Sequence, residues 1–455
     1  MLKSNIAWMK KNVPSDLKVW KGMIQDIDWS QVAAKTKLSL QRDKDRITAE
    51  FKEFAAMDTS AKIDWLMNGD RHLGYLYKKD AIAFARREWK GLKSVGYDFV
   101  GWLKIWGGML NMVMKDPVSI MLAVFEYHWF ASYLATPAVV DRSVFGRRGK
   151  LLQADFDMWV AITHWAEDLI ANLIMADAKI GGNQKINKRI IMFDEMTMAQ
   201  MMAGFPNLLG IPYQMIPVFM VSEMDQLTLI PYIDAIESYG LPSDTCPLPT
   251  AECGCAVKDE YPMCGQGFIA SSMPCDGSVM ATSFQDRRFS KFMPSYPLCM
   301  PVRYDDEDTT EMAAADMKDC IHWVEGLTGE TWNWDTYFAT MEKMNECTRL
   351  EMEKWEINKT HYPQLVGSSF ELFRKWNYEM DGGLFPEGLK TQRKICKTMM
   401  ETYEKKLPAY VGGYEKYRAL IWSCPAHFYA NFSNWLANCW GIYALTEMEA
   451  LNMTK

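Results

Sequence analysis

The first 245 residues of this 455-residue chain contain no cysteine, and all eleven cysteines lie in the remainder. Five of them fall between Cys246 and Cys275, in a stretch rich in Gly and Pro. Thiolates select iron–sulfur clusters, zinc or copper, and a loop backbone can bend so that several sulfurs converge on one site. The distribution divides the chain into a cysteine-free half and a cysteine-rich half, and the second half carries the strongest chemical signal.

The sequence lacks the patterns of secreted disulfide-bonded proteins and of zinc ribbons. The count is odd and MLKSNIAWMKKNV lacks the apolar core of a signal peptide, which argues against secreted disulfides and favours a cytoplasmic, reducing compartment. No C-x2-C pair typical of zinc ribbons occurs, and the shortest spacing is Cys253-Gly-Cys255. Each cysteine could also be a small buried hydrophobic residue, and the sequence leaves this alternative open.

Excess positive charge and long uncharged apolar runs are also missing. The net charge of −7 argues against a nucleic-acid-binding surface. The most apolar segment, residues 117–140, has Glu126 and His128 in its middle, which is costly for a membrane span. We therefore expect no membrane span and a buried helix there, with a helix dipping into a membrane surface as the alternative. The 18 Trp and 34 Met indicate either core packing or an apolar channel or partner surface.

Residues 1–188 are predicted to be helical. DRITAEFKEFAAM and KKDAIAFARREWKGL place apolar residues three and four positions apart, and a long helical pattern ends at Gly181-Gly182. His164 and Glu167 lie one turn apart in that long pattern. A metal pair is conceivable there, but a half-buried polar stripe is the expected arrangement.

The pattern changes at about residue 189, where short apolar runs begin to alternate with helical segments. The runs are RIIMF, YQMIPVF, GQGFIASS and PSYPLCMPV. This alternation predicts an α/β fold with a Rossmann-like parallel sheet, in which ligands bind beyond the carboxyl ends of strands. We expect a helical region over 1–188, an α/β cluster-binding domain over 189–385, and the start of a second α/β domain over 386–455, where KYRALIWSCPAHF leads to Cys424.

Five motifs in order resemble the subunits of the 2-hydroxyacyl-CoA dehydratase and benzoyl-CoA reductase family. Tyr239, Gly240, Asp244 and Cys246 are similar to the pattern at the family's first cluster cysteine, and FIASSMPCDGS is similar to the second cysteine motif, with Cys275 at the ligand position. PSYPLCMPVRYDDED, HWVEGLTGETWNWDTYFATMEKMN and PQLVGSSFELFRKW resemble the segments that follow. The resemblance covers about residues 189–455, and residues 1–190 have no recognised counterpart.

The resemblance implies an enzyme subunit, either a lyase or an aryl-CoA-reducing oxidoreductase. Family members form pairs of paralogous α/β subunits, each with a [4Fe–4S] cluster held by three cysteines. An ATP-dependent activator supplies a low-potential electron, and the substrate is an acyl- or aryl-CoA thioester that is reduced to a radical or dearomatised species. By this resemblance Cys246 and Cys275 are cluster ligands.

Two departures from the family pattern affect the site. We expect the second domain to be cut short and the family's third cysteine to be missing, so that Cys424, Cys264, Cys253, Cys255 or another chain would replace it. Phe193-Asp194-Glu195 stand where small hydroxyl residues are expected near the substrate. An incomplete or altered cluster is a further possibility that the sequence leaves open.

A substrate pocket is expected at the carboxyl edge of the sheet, lined by Ser271, Ser272 and Asp276. The start of a helix at Asp276 offers unpaired N–H groups that could hold a thioester oxygen. The alternative is that Asp276 or Ser278 only caps this helix. At the level of the whole protein, the alternatives are a non-catalytic electron-relay or structural partner subunit, and a zinc- or thiol-containing structural protein. Assembly with a paralogous subunit is expected to cover apolar surface.

Overall fold

The computed structural model describes most of the chain. The described residues are 28–68, 91–144, 149–193, 200–213, 215–224, 226–271, 276–299, 306–366, 385–407, 415–421 and 436–447, with the single residues 21, 25, 147, 301 and 409. The chain divides into two compact units, Met1–Gly69 and Asp70–Lys455. The predicted segment KKDAIAFARREWKGL falls almost entirely outside the described residues.

The described part of the first unit includes the helices α1 (Trp29–Ala56) and α2 (Thr59–Asn68). Helix α1 begins at Asp28, whose carboxylate accepts hydrogen bonds from the N–H groups of Ser30 and Gln31. The rings of Phe54 and Trp65 lie 4.9 Å apart and join the two helices. A cap that satisfies two unpaired N–H groups explains why the helix starts at this residue.

The second unit begins with a layer of helices. These are α3 (Leu92–Lys115), α4 (Pro117–Glu126), a 3₁₀ helix (His128–Ala135), α5 (Thr136–Ser143), α6 (Gly149–Ala176) and the short α7 (Gln184–Asn187). Helix α6 is buried along nearly its whole length and packs against α3. The prediction of an all-helical N-terminal region is confirmed.

The prediction of one helix over residues 117–140 is wrong, because the segment is broken into three pieces. Helix α4 ends at Glu126, the N–H of Tyr127 still donates to the Ala123 carbonyl, and the N–H of His128 donates a 2.9 Å hydrogen bond to Glu260 Oε2 instead. The indole of Trp129 donates to the carbonyl oxygen of Glu260. These hydrogen bonds to Glu260, which lies 132 positions after His128, offset the loss of helical hydrogen bonds at the break.

A parallel four-stranded sheet follows, with strands β1 (Ile190–Phe193), β2 (Leu209–Pro212), β3 (Gly267–Ser271) and β4 (Ser295–Leu298). The strand order is β2-β1-β3-β4, and each neighbouring pair is parallel. The predicted α/β fold with a parallel sheet is confirmed. The predicted strand YQMIPVF is wrong, since Met215–Phe219 forms a π-helical turn and the strand lies just before it.

Helices connect the strands of this sheet. A 3₁₀ helix (Gln200–Gly204) joins β1 to β2. The chain from β2 to β3 contains the π-helical turn, α8 (Met220–Met224), a 3₁₀ helix (Gln226–Leu229), α9 (Ile230–Glu237) and α10 (Pro247–Val257). Helix α11 (Asp276–Phe289) joins β3 to β4.

The last described elements are helices followed by a second, smaller sheet. They are α12 (Glu307–Thr328), α13 (Trp334–Asn358), α14 (Pro386–Glu404), β5 (Tyr417–Ile421), a π-helical turn (Leu436–Trp440) and β6 (Ile442–Glu447). Strands β5 and β6 are parallel. Helix α12 ends at Gly329, which has a φ of 75°, a left-handed conformation that glycine adopts without a steric cost.

The four-stranded sheet is covered on both faces. Ile190 and Met192 of β1 belong to the main hydrophobic cluster, which also contains most of α6. Ile191 and Phe193 belong to a second cluster with residues of α12. Successive strand residues point to opposite faces, so this alternation is what a doubly covered sheet requires. The predicted domain boundaries at 188/189 and 385/386 stay predictions.

Among the described helices, no single one is long and apolar enough to cross a membrane. Helices α3 and α4 pass that test only when they are taken together, and their axes meet at 98°.

Candidate functional site

The candidate site lies at the carboxyl edge of the four-stranded sheet. Strands β1, β2, β3 and β4 end there at Phe193, Pro212, Ser271 and Leu298. The chain passes from β1 to β2 on one side and then crosses to β3 on the other side of β1. Ligands of open parallel sheets bind where the strand order reverses in this way, outside the carboxyl ends of the strands.

Two helices begin at this edge. Helix α11 starts at Asp276, directly after the four residues that follow β3. A crossover helix between parallel strands returns from the carboxyl edge to the amino edge, so its N-terminus lies beside the strand ends. Helix α10 immediately precedes β3 and packs against α11, where Cys253, Ala281 and Ile236 form one cluster. The N-termini of both helices therefore point to the same edge.

Cys246 is the residue that caps α10. It is exposed and belongs to no disulfide, and Pro247 follows it at the first helical position. Its carbonyl oxygen accepts a 2.8 Å hydrogen bond from Thr250 Oγ1, which fixes the start of the helix. An exposed sulfur beside the unpaired N–H groups of a helix start is accessible to a metal, and the helix dipole there favours negative charge.

The other three described cysteines of the cysteine-rich stretch are buried. Burial raises the pKa of Cys253 to about 12, and it raises the pKa of Cys255 and Cys264 far above the ordinary range of a thiol. Cys264 Sγ lies 4.0 Å from Met192 Sδ, inside the main hydrophobic cluster. Neutral thiols in apolar surroundings pack as small hydrophobic residues, whereas a metal ligand must be a thiolate. A ligand role for any of the three stays a prediction.

Several predicted site residues lie wholly or partly outside the described residues. Ser272, Cys275 and Cys424 are among those that the structure does not describe. Ser271 is the last residue of β3, and Asp276 is the first residue of α11. In the described part of the chain, no three His, Cys, Asp or Glu side chains come together as a metal site.

Sequence reasoning assigned no role to Cys299, an exposed thiol at the same edge. Cys299 follows β4 directly, and its N–H donates a 2.6 Å hydrogen bond to Asp316 Oδ2 of α12. The run PSYPLC predicted a strand that ends at a cysteine, and this signal could have found the residue. Cys299 is therefore a further thiol candidate at the carboxyl edge.

Comparison with known proteins identifies the family of the chain. The family model described as 2-hydroxyglutaryl-CoA dehydratase, D-component, matches residues 226–453, about half of the chain. The matched range begins before α9 and contains Cys246, Cys275 and Cys424. No curated protein matches the chain. The chain belongs to the D-component family of 2-hydroxyglutaryl-CoA dehydratase, and so to the wider 2-hydroxyacyl-CoA dehydratase family whose motifs it resembles.

Proposed function

We propose that this chain is the iron–sulfur subunit of a 2-hydroxyacyl-CoA dehydratase, or of a related aryl-CoA reductase, that acts on a CoA thioester by single-electron chemistry. The observation that carries the proposal is the exposed Cys246 at the start of α10. It lies at the carboxyl edge of the sheet and inside the family match, which also contains Cys275, four positions after the last residue of β3 in the sequence.

The available donors fit a [4Fe–4S] cluster. In this proposal Cys246 and Cys275 are two of the thiolate ligands, since soft thiolates are the donors that iron–sulfur clusters require. The buried position of Cys264 favours Cys424 as the third ligand, because Cys264 is held inside the main core. A cluster with three cysteine ligands would supply a low-potential electron and one open iron.

The chain's own residues would bind and orient the thioester. Helix α11 has 14 residues, and the N–H groups of its first turn lack partners within the helix. We propose that these N–H groups and the hydroxyls of Ser271 and Ser272 hold the thioester oxygen, in a pocket that Asp276 also lines. Fixed donors stabilise negative charge as it develops on such an oxygen.

We further propose that the subunit works in the cytoplasm with a paralogous α/β subunit and an ATP-dependent activator. The family implies a multi-subunit dehydratase system. In support, helices α3 and α4 expose large apolar side chains that another chain would cover. They include Phe99, Leu103, Trp106, Leu110, Met114, Val118, Met121, Leu122 and Phe125.

Turnover of acyl-CoA substrates tests the proposal. The protein, purified anaerobically with its partner, is assayed with activator, ATP and reductant, and Ser271→Ala and Ser272→Ala are compared with wild type. We expect each variant to lower kcat by roughly tenfold to a hundredfold with its iron content intact, since loss of one oxyanion donor typically costs at least that much.

Ser283→Ala is the matched control, because Ser283 is an exposed residue of α11 whose hydroxyl bonds the carbonyl of Val279. It should keep wild-type turnover. Wild-type kcat and KM in both test variants would assign these serines a structural role. Iron-loaded protein with no turnover on any acyl- or aryl-CoA would instead favour an electron-relay subunit.

A further inference from the structure

An apolar cavity lies in the helical layer of the second unit. It is enclosed by α3, α4, the 3₁₀ helix His128–Ala135, α6 and α8, and its volume is about 100 Å³. Most of its wall is apolar, including Met112, Ile120, Trp159, Ile162 and Ile170. An engineered apolar cavity of ~150 Å³ stays dry and takes up benzene, so this smaller cavity has room for one end of a small organic molecule whose remainder lies in the opening.

Glu167 places a carboxyl group in this apolar wall. Only 8% of the residue is exposed, and its Oε1 has no hydrogen-bond partner within the described part of the chain. Nearby polar groups are engaged elsewhere, since Lys115 pairs with Asp168 and His164 bonds Glu387. A buried polar atom without a partner costs free energy, so its persistence calls for an explanation such as a ligand.

The protonation state of the Glu167 carboxyl is set mainly by its burial. Burial raises the pKa of Glu167 to about 8, and the positive charge of Lys115 on α3 opposes the shift. The other titratable side chain of the wall is Tyr133, whose pKa burial raises well above its ordinary value. Glu167 is therefore mostly protonated at neutral pH and offers an O–H donor.

Gly108 of α3 leaves room for the carboxyl. A Cβ atom at this position would lie 2.4 Å from Glu167 Oε2 and 2.9 Å from His164 Cδ2. Any side chain there would displace one of these groups. The glycine therefore allows α3 to approach α6 closely while the carboxyl stays at the wall of the cavity.

The cavity opens onto apolar surface. Met121 of α4 and Leu134 of the 3₁₀ helix line it and are themselves 53% and 63% exposed. A hydrophobic chain could enter between them without passing a charged group of the wall. The opening and the buried donor together suit a molecule with an apolar body and one oxygen.

We propose that this cavity binds a small neutral amphiphile, an alkyl chain bearing one hydroxyl or ester oxygen, with the Glu167 carboxyl donating a hydrogen bond to that oxygen. None of the residues assigned to the proposed thioester site is among the described residues that line this cavity. Helices α3, α4 and α6 lie outside the residues 226–453 that match the dehydratase family. The proposal therefore holds or fails independently of the iron–sulfur chemistry.

Binding of 1-hexanol, measured by isothermal titration calorimetry at neutral pH, tests the proposal. We expect one molecule per chain and much weaker binding of hexanoate, whose charge the cavity cannot solvate. Glu167→Leu should lower the affinity for 1-hexanol by roughly fivefold to tenfold, the value of one neutral hydrogen bond. Glu167→Gln keeps an N–H donor and should bind almost as well as wild type.

Two further measurements separate binding at this cavity from general changes in the fold. Gly108→Ala should weaken 1-hexanol binding by displacing the carboxyl, whereas Glu356→Gln, an exposed glutamate of α13, should not. Raising the pH to about 9.5 should weaken binding to wild type but not to Glu167→Gln, because Glu167 then ionises. The thermal melt of each variant verifies that it is folded.

Three results would overturn the proposal. They are no binding of 1-hexanol to folded wild-type protein, equal binding to wild type and Glu167→Leu, and tighter binding of hexylamine than of 1-hexanol, which would make this a cation site.

Discussion

At the scale of single residues, the buried carboxyl of Glu167 links folding to pH. Its pKa is about 8 in the folded chain, against 4.5 for an ordinary glutamate. Between these two values the folded chain binds more protons than the unfolded chain, so the free energy of unfolding falls as the pH rises. The stabilising contribution is fully present below about pH 4.5 and is lost as the pH passes through about 8.

We predict that Glu167→Gln removes this dependence. The free energy of unfolding of the variant minus that of wild type should rise by a few kcal/mol from about pH 5 to pH 8. This follows because one pKa unit corresponds to about 1.4 kcal/mol. Urea denaturation at the two pH values measures the difference. Glu356→Gln should show almost no such change, and a constant difference between Glu167→Gln and wild type would contradict the assignment.

The sequence predicted the role of the cysteines only in part. The clustering of thiols and the family's D-x-C motif pointed to Cys246, and the structure shows it exposed at the start of α10, while its role as a ligand stays a prediction. The burial of Cys253 and Cys255 depends on which face of α10 packs against α9 and α11, and a stretch of alternating Gly, Cys and Ala does not specify a face. The sequence likewise placed His164 and Glu167 one turn apart, but it did not show that Glu167, unlike His164, lines an apolar cavity.

At the scale of elements, α10 is positioned by a close contact with α9. A Cβ at Gly254 would lie 1.9 Å from the carbonyl oxygen of Tyr232, an atom of the backbone that cannot move aside cheaply. The two helices can approach only because this position has no side chain. The location of Cys246, at the start of α10, therefore depends on Gly254.

We predict that Gly254→Ala destabilises the protein by several kcal/mol, in the upper range for overpacked cores, and lowers the iron content by shifting Cys246. Thermal unfolding and iron analysis measure the two effects.

Gly326→Ala is the control, because Gly326 is an exposed position of α12 where an added methyl group would meet nothing within 4 Å. It should gain up to ~1 kcal/mol from its better helix propensity. Equal stability of both variants would mean that α9 and α10 are not in close contact.

Strands with strong local patterns were predictable, and those without were not. β1 and β3 lie inside the apolar runs RIIMF and GFIASS, as expected. β2 has the sequence LGIP, whose Gly and Pro have low strand propensity. Its Gly210 is required because a Cβ would meet Met202 Cγ at 2.6 Å and Phe193 Cε1 at 2.7 Å. Such tertiary contacts override local propensity and cannot be seen in one sequence.

At the scale of the whole molecule, the family match covers only part of one compact unit. Residues 226–453 match the dehydratase family, whereas α3, α4 and α6 precede the match. Yet Ile162 of α6 and Phe268 of β3 belong to the same hydrophobic cluster. Composition and periodicity predicted the change from helices to an α/β layer, but not that both would share a core, because that depends on long-range packing.

The measurement that tests the central claim most directly is the iron and acid-labile sulfide content of anaerobically purified protein. We predict about four of each per chain for wild type, the content of one [4Fe–4S] cluster. Cys246→Ser and Cys275→Ser should each lose most of the iron and the broad visible absorption. Cys320→Ala, a buried cysteine of α12 in the second hydrophobic cluster, should keep both. Full iron content in both serine variants, or zinc in place of iron in wild type, would contradict the cluster assignment.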